Sequence, residues 1–294
     1  MAHLFSRTRQ GFLRIMFNMN SSGHGPESPR AVSLSLKLLL VLEMAFAGIY
    51  LALTRNLLVI YMTSIGFDVS QMSLMIIAAM VAPSIISIIL YKHPIFLTKN
   101  VKLKLVVFHA LERVFWIPMA FFRDLITIGF CYTVISTSST IVGCLTNLLI
   151  YSSFDENGVR DVTGKRTAAF NVTSVIGSTG ATILLAALTT GDKFNIIFML
   201  GSTIGLLSTV MLLFINMEHL EGVRIPNRIK RPEQMFSISS FFLTFLTSGN
   251  LFGIFWAPYL MRVLNAPDYL AAAMNLVSTI SSVFGSIAWA KRSL

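Results

Sequence analysis

The sequence predicts an all-α integral membrane protein, built as a six-helix bundle followed by two further transmembrane helices. Three observations predict it. Of 294 residues, 54% are hydrophobic and only 12% are charged, whereas soluble domains carry about 25% charged residues. Eight apolar segments reach the length a membrane-spanning helix needs, roughly 17 to 25 residues. Lys and Arg collect in every second gap between those segments, which is the signature of alternating loops on two sides of a bilayer.

Residues 1–35 form a basic tail with Arg7, Arg9, Arg14 and Arg30, and its apolar patch from Phe12 to Phe17 is too short to span. The predicted spans run Leu36 to Thr63, Met72 to Tyr91, Leu103 to Phe121, Leu125 to Tyr151, Thr167 to Leu188, Phe194 to Ile215, Phe236 to Met261 and Tyr269 to Ala290. The first six make a bundle over 36–216, a linker follows over 217–233, and 234–294 holds a partial second bundle of two helices. The linker carries Arg224, Arg228, Lys230 and Arg231, and Pro226 and Pro232 argue against one continuous helix there. The tail, the linker, the gaps Lys92 to Lys104 and Ser152 to Arg166, and the end at Lys291 and Arg292 hold most of the basic residues. The alternate gaps hold only Arg123, Lys193 and Arg262. The positive-inside rule therefore predicts a multi-pass protein of the cell membrane with both termini cytoplasmic. Each opposite gap is short and carries one aspartate, Asp68, Asp124, Asp192 or Asp268, as expected of tight hairpins that pack successive helices side by side.

The net charge of +10 lies in short clusters between apolar runs, so it reports topology and argues against a nucleic-acid partner. Cys131 and Cys144 lie on one predicted helix, roughly 20 Å apart at ~1.5 Å per residue, too far to bond. No HExxH, CxxC, GxSxG or Walker-type motif is present, and the histidines lack metal-ligand spacing, so neither an enzyme nor a cofactor is expected. Small residues at four-residue spacing, at Gly201 and Gly205, at Gly249 and Gly253 and around Ser174, Gly177, Ser178, Gly180 and Ala181, mark close helix contacts or a sliding surface.

Charges inside spans are costly and usually face a cavity or a partner. Glu43, Glu112 and Arg113 lie at similar depth, and an ion pair between Glu43 and Arg113 is the expected arrangement, with a proton-coupling site as its functional reading. Arg55 lies roughly 18 Å further along the first span at ~1.5 Å per residue. It has no acidic neighbour at that depth. Two readings stay open for it: an anion-binding group in a cavity with Asn56, Asn171 and Asn250, or a side chain reaching for the outer headgroups. Asn147 is a further polar candidate.

The seventh span restarts the pattern of the first. Tyr61-Met62 and Tyr259-Leu260 each end a span and pass through an aspartate-containing turn into an apolar helix. With six spans, a basic pivot and this repeat, the chain resembles the major facilitator superfamily of secondary transporters. The segment Lys165 to Gly180 is similar to the entry of that family's fifth helix, Leu57 to Gly66 to its first-helix exit, and Gly285 to Arg292 to the start of its loop after helix 8. The family's Gly-x-x-x-Asp-x-x-Gly loop is not matched by Tyr91-Lys92-His93-Pro94, and Trp289 stands where an Asp is expected. The resemblance implies a permease that moves a small polar solute by alternating access, with the lipid bilayer as its other partner; an anionic solute is the expectation that Arg55 adds, and accompanying protons the one that the buried carboxylates add. It also implies that eight spans, four short of the usual twelve, leave the isolated chain self-associating or a portion of a longer one. The alternative is a non-transporting or truncated membrane protein of the same fold.

Overall fold

The computed structural model describes residues 30–93, 95–188, 191–220, 240 and 253–292, and all regular structure among them is helical. The tail through residue 29, most of the linker, the larger part of the seventh predicted span, Gly249 and Asn250 lie outside the described residues. Five helical segments are long and apolar enough to cross a membrane: Ser35–Ser64, Val69–Lys92, Leu125–Ser153, Glu156–Ala187 and Lys193–Leu213. They correspond to the first, second, fourth, fifth and sixth predicted spans.

The first segment is helix α1 (Arg30–Leu53), a 3-10 turn at Arg55–Leu57 and helix α2 (Leu58–Ser64). Thr54 causes the break. Its hydroxyl donates back to the Tyr50 carbonyl at 2.7 Å, a bond that competes with the helix ladder and bends it. The Leu57 amide then closes a tighter turn onto the Thr54 carbonyl at 2.9 Å. Gly66, with φ +103°, turns the chain out of α2. Asp68 and Gln71 form a reciprocal capping box that starts α3 (Val69–Lys92).

The third predicted span is broken. A short helix α4 (Ile95–Thr98) precedes α5 (Val101–Val114), and α6 (Trp116–Phe121) follows after a turn at Phe115. Pro118 accounts for this, because it has no amide to donate to the Val114 carbonyl four residues back and its ring crowds that carbonyl. Asp124 caps α7 (Leu125–Ser153), and the Thr127 amide bonded to it at 2.7 Å holds its carboxyl below the ordinary value.

The fifth span also departs from expectation. Ser152 to Arg166 reads as a loop, yet helix α8 runs from Glu156 to Ala187, 32 residues, capped by Asp155. Its charged first turns are stitched by two pairs at four-residue spacing, Glu156–Arg160 and Asp161–Lys165. Lys37 of α1 reaches Asp161 at 3.3 Å. Helix α9 (Lys193–Leu213) completes the first bundle, and a helical stretch at 253–258 passes through a π turn at Tyr259–Val263 into α10 (Asp268–Arg292), the eighth predicted span.

Helix α1 is the centre, packed most extensively along α8 and then α9, while α7 carries α3 and α5 on its other sides and α10 lies along α8. The predicted small residues permit these approaches. A Cβ on Gly177 would come within 2.8 Å of Ala52, one on Gly201 within 2.7 Å of Thr54, and one on Gly205 within 2.6 Å of Arg113 and 2.8 Å of the Tyr50 ring. Gly180 and Gly253 have open space instead. The lateral surface is apolar. On α3 alone Leu74, Ile77, Val81, Ile85 and Ile88 are all more than half exposed, a contiguous apolar stripe of the kind that faces a membrane or a partner.

Candidate functional site

Two apolar cores divide the bundle along its length. One, at the end carrying the aspartate hairpins, is built around Tyr50, Trp116 and Phe198; the other, at the basic end, around Leu40, Leu105, Leu145 and Leu212. Between them lies a buried charged layer. Along α1 it falls between Leu40 and Tyr50, and along the chain from α5 into α6 between Leu105 and Trp116.

Glu43 is 5% exposed and binds two groups that the sequence does not mark. Its Oε2 accepts from Arg166 Nη2 of α8 at 3.0 Å, and its Oε1 lies 3.2 Å from His109 Nε2 of α5. The other ring nitrogen of His109, Nδ1, lies 2.7 Å from the Thr209 hydroxyl of α9. The expected Glu43–Arg113 pair is not formed. Arg113 instead pairs with the adjacent Glu112 and stacks 4.8 Å over the Tyr50 ring. The reason is the extended α8, which brings Arg166 to Glu43 and leaves Arg113 to its own neighbour.

Neutral donors close the layer on the aspartate side. The Tyr50 hydroxyl donates to the Glu112 carbonyl at 3.0 Å and accepts from the Trp116 indole at 2.6 Å, while the Ser202 hydroxyl donates to the Arg113 carbonyl at 2.9 Å. These bonds pair two buried backbone carbonyls and the buried indole, groups that are costly to leave unbonded away from water. Among the described residues two donors of this layer have no partner, Nε of Arg113 and Nε of Arg166. His109, Glu112 and Arg113 stand at i, i+3 and i+4, one face of a helix. That spacing was the available signal for His109. Arg166 escaped because its segment read as a loop.

A second feature lies about 7.5 Å further along α1 from Tyr50 at ~1.5 Å per residue, where the 3-10 turn presents Arg55 and Asn56. These two residues border a cavity of about 270 Å³, whose other walls include Tyr132 of α7, Trp256 and Gly253 from the stretch 253–258, and Asn275 of α10. Arg55 and Asn56 are exposed. Among the described residues Arg55 makes no ion pair and no side-chain hydrogen bond, whereas Asn275 donates to the Asn56 carbonyl at 2.7 Å. Asn171 is half-buried on α8 and does not line this cavity, and Asn147 is exposed on α7. The structure therefore brings together two of the four predicted solute residues, Arg55 and Asn56, and adds Asn275, Tyr132 and Trp256.

The aspartate end above the cavity is tied across the same seam. Lys193 at the start of α9 pairs with Asp268 at the start of α10 at 2.5 Å, and Arg262 donates to the carbonyls of Thr63 at 3.1 Å and Phe67 at 2.6 Å. Among the described residues no three His, Cys, Asp or Glu side chains converge on a metal-sized site. No family model matches this chain, and no curated protein matches it.

Proposed function

We propose that the protein is a secondary transporter of a small polar solute bearing a carboxylate or another anionic group. One observation carries this reading: the guanidinium of Arg55, without an ion pair among the described residues, opens onto a cavity walled both by the first bundle and by the helices that follow the linker. Arg is always charged, and its planar fork suits two-point contact with a carboxylate. Asn56 and Asn275 add amide groups beside it, and Tyr132 and Trp256 offer apolar faces for the body of the solute. In a transporter whose halves rock about such a site, ties across the seam at one end correspond to a state closed there. The Lys193–Asp268 and Arg262 contacts support a closed aspartate end, which the positive-inside rule puts outside the cell. The sequence resemblance to the major facilitator superfamily agrees with this reading and supplies no solute.

The test is uptake by the purified full chain in proteoliposomes, run with a panel of labelled mono- and dicarboxylates, a sulfonate and matched neutral amides. Saturable uptake restricted to anionic solutes and abolished in Arg55→Ala is the expected result. Absence of uptake and of binding across the panel would leave the non-transporting membrane protein as the better reading.

A further inference from the structure

The buried layer holds an arrangement that the solute cavity does not need. With Glu43 and Glu112 ionised and His109 neutral, the two carboxylates and the guanidinium groups of Arg113 and Arg166 sum to zero charge. An ionised carboxylate only accepts hydrogen bonds, so the His109 proton sits on Nε2, facing Glu43, and Nδ1 accepts from the Thr209 hydroxyl. A second proton on the ring reverses only the last bond. Nδ1–H then donates to the Thr209 oxygen, and that hydroxyl turns its own hydrogen elsewhere. A hydroxyl that both donates and accepts lets His109 change protonation with every ring nitrogen still bonded.

What changes is the charge. An added proton leaves the layer with one uncompensated positive charge among apolar cores, and two cations, His109 and Arg166, then share the single carboxylate of Glu43. Arg166 is the partner with somewhere to go, since its side chain is 14% exposed while that of His109 is 1% exposed. The charged groups facing the ring are Glu43 from α1, Glu112 and Arg113 from α5, and Arg166 from α8 across Glu43. Helix α9 offers a hydroxyl there, its one charge being Lys193 at the far end, and α7 carries no charged residue. Arg166 belongs to the helix that packs on α1 along one face and on α10 along another.

We propose that the Glu43–His109 pair is a proton-binding site, and that proton uptake releases Arg166 and loosens α8 from α1. As the coupling step of a transporter this rests on the reading above; as a proton site it does not. The full chain, with Cys131→Ser and Cys144→Ser, is spin-labelled at Leu38→Cys and Thr163→Cys, exposed positions on α1 and α8. The label distance and the His109 ring resonance, assigned by its loss in His109→Gln, are followed from about pH 8 to about pH 5.

The expected result is a titrating His109 resonance and a distance that grows by more than about 2 Å on acidification, the scale of helix shifts at packed interfaces. His109→Gln removes the pH dependence, and Glu43→Gln gives the longer distance at both pH values. A His109 that does not titrate in this window, or a distance indifferent to pH while it does, overturns the proposal. Should His109→Gln fail to fold, Glu43→Gln and Thr209→Val decide, Thr209→Val being expected to shift the midpoint and keep the distance change. Titration and loosening without any solute movement would sustain the proton site and sink the transport reading.

Discussion

Arg113 and Arg55 are both guanidinium groups carried on predicted membrane spans, and their surroundings differ in every respect. Arg113 is 4% exposed, paired with Glu112, stacked on Tyr50 and pressed by α9 at Gly205. Arg55 is exposed at a helix break, with a cavity in front of it and no ion pair among the described residues. The comparison teaches that charge within an apolar segment carries no single meaning. A compensated charge in a packed layer contributes to the native arrangement, and an uncompensated one at an open wall is available to a ligand.

The largest effect that tests this contrast is Arg113→Ala. Leaving Glu112 buried without its partner costs roughly 3–5 kcal/mol, whereas replacing both residues by uncharged side chains of similar volume costs far less. Reversible unfolding in mixed micelles measures both, and the comparison breaks if Arg113→Ala unfolds like wild type.

Arg55→Ala is expected to do the reverse, leaving stability within about 0.5 kcal/mol while weakening anionic solute binding by about 10- to 100-fold, the equivalent of ~1.5–3 kcal/mol for charge-assisted hydrogen bonds. Arg55→Lys keeps the charge and loses the fork, so its affinity falls between the two. Equal affinity for Lys and Arg would instead assign the side chain to the headgroup region. Affinity is read by titration calorimetry and stability by the same unfolding assay.

Glycine substitutions sharpen the contrast in packing. Gly205→Leu drives side-chain atoms into Arg113 and Tyr50 and is expected to cost about 1–3 kcal/mol, while Gly253→Ala at the cavity wall, with nothing within 4 Å of the added Cβ, is silent in stability. A small effect is expected at the aspartate end of the molecule. Asp68→Ala removes the capping box that begins α3, at a cost of about 1 kcal/mol, and Asp68→Asn recovers most of it because an amide oxygen also caps.

Much of this was legible in the chain. Of the eight spans predicted from apolar length, five are membrane-length apolar helices among the described residues, and the aspartates of the short gaps do double duty as helix caps at Asp68 and Asp124. Two misreadings have local causes that were open to inspection. The charges from Glu156 to Lys165 read as loop polarity, although their four-residue spacing is that of a solvated helix face. Pro118 sits inside the third apolar run and dictates the end of α5 four residues earlier.

The partners of the buried charges are another matter. Where a helix begins, ends, bends or turns apolar depends on residues within a few positions of one another, and the sequence by itself determined those features. Glu43 and Arg166 are 123 residues apart, and Glu43 and His109 are 66 apart. Which of several cations meets that carboxylate depends on how far α8 and α5 slide and rotate against α1. The close contacts at Gly177, Gly201 and Gly205 set that register, as does the Thr54 break that hands Arg55 to the cavity wall. Only the tertiary structure decided those pairings, because ion pairs act over a few ångströms and the placement of whole helices controls which charges come that close.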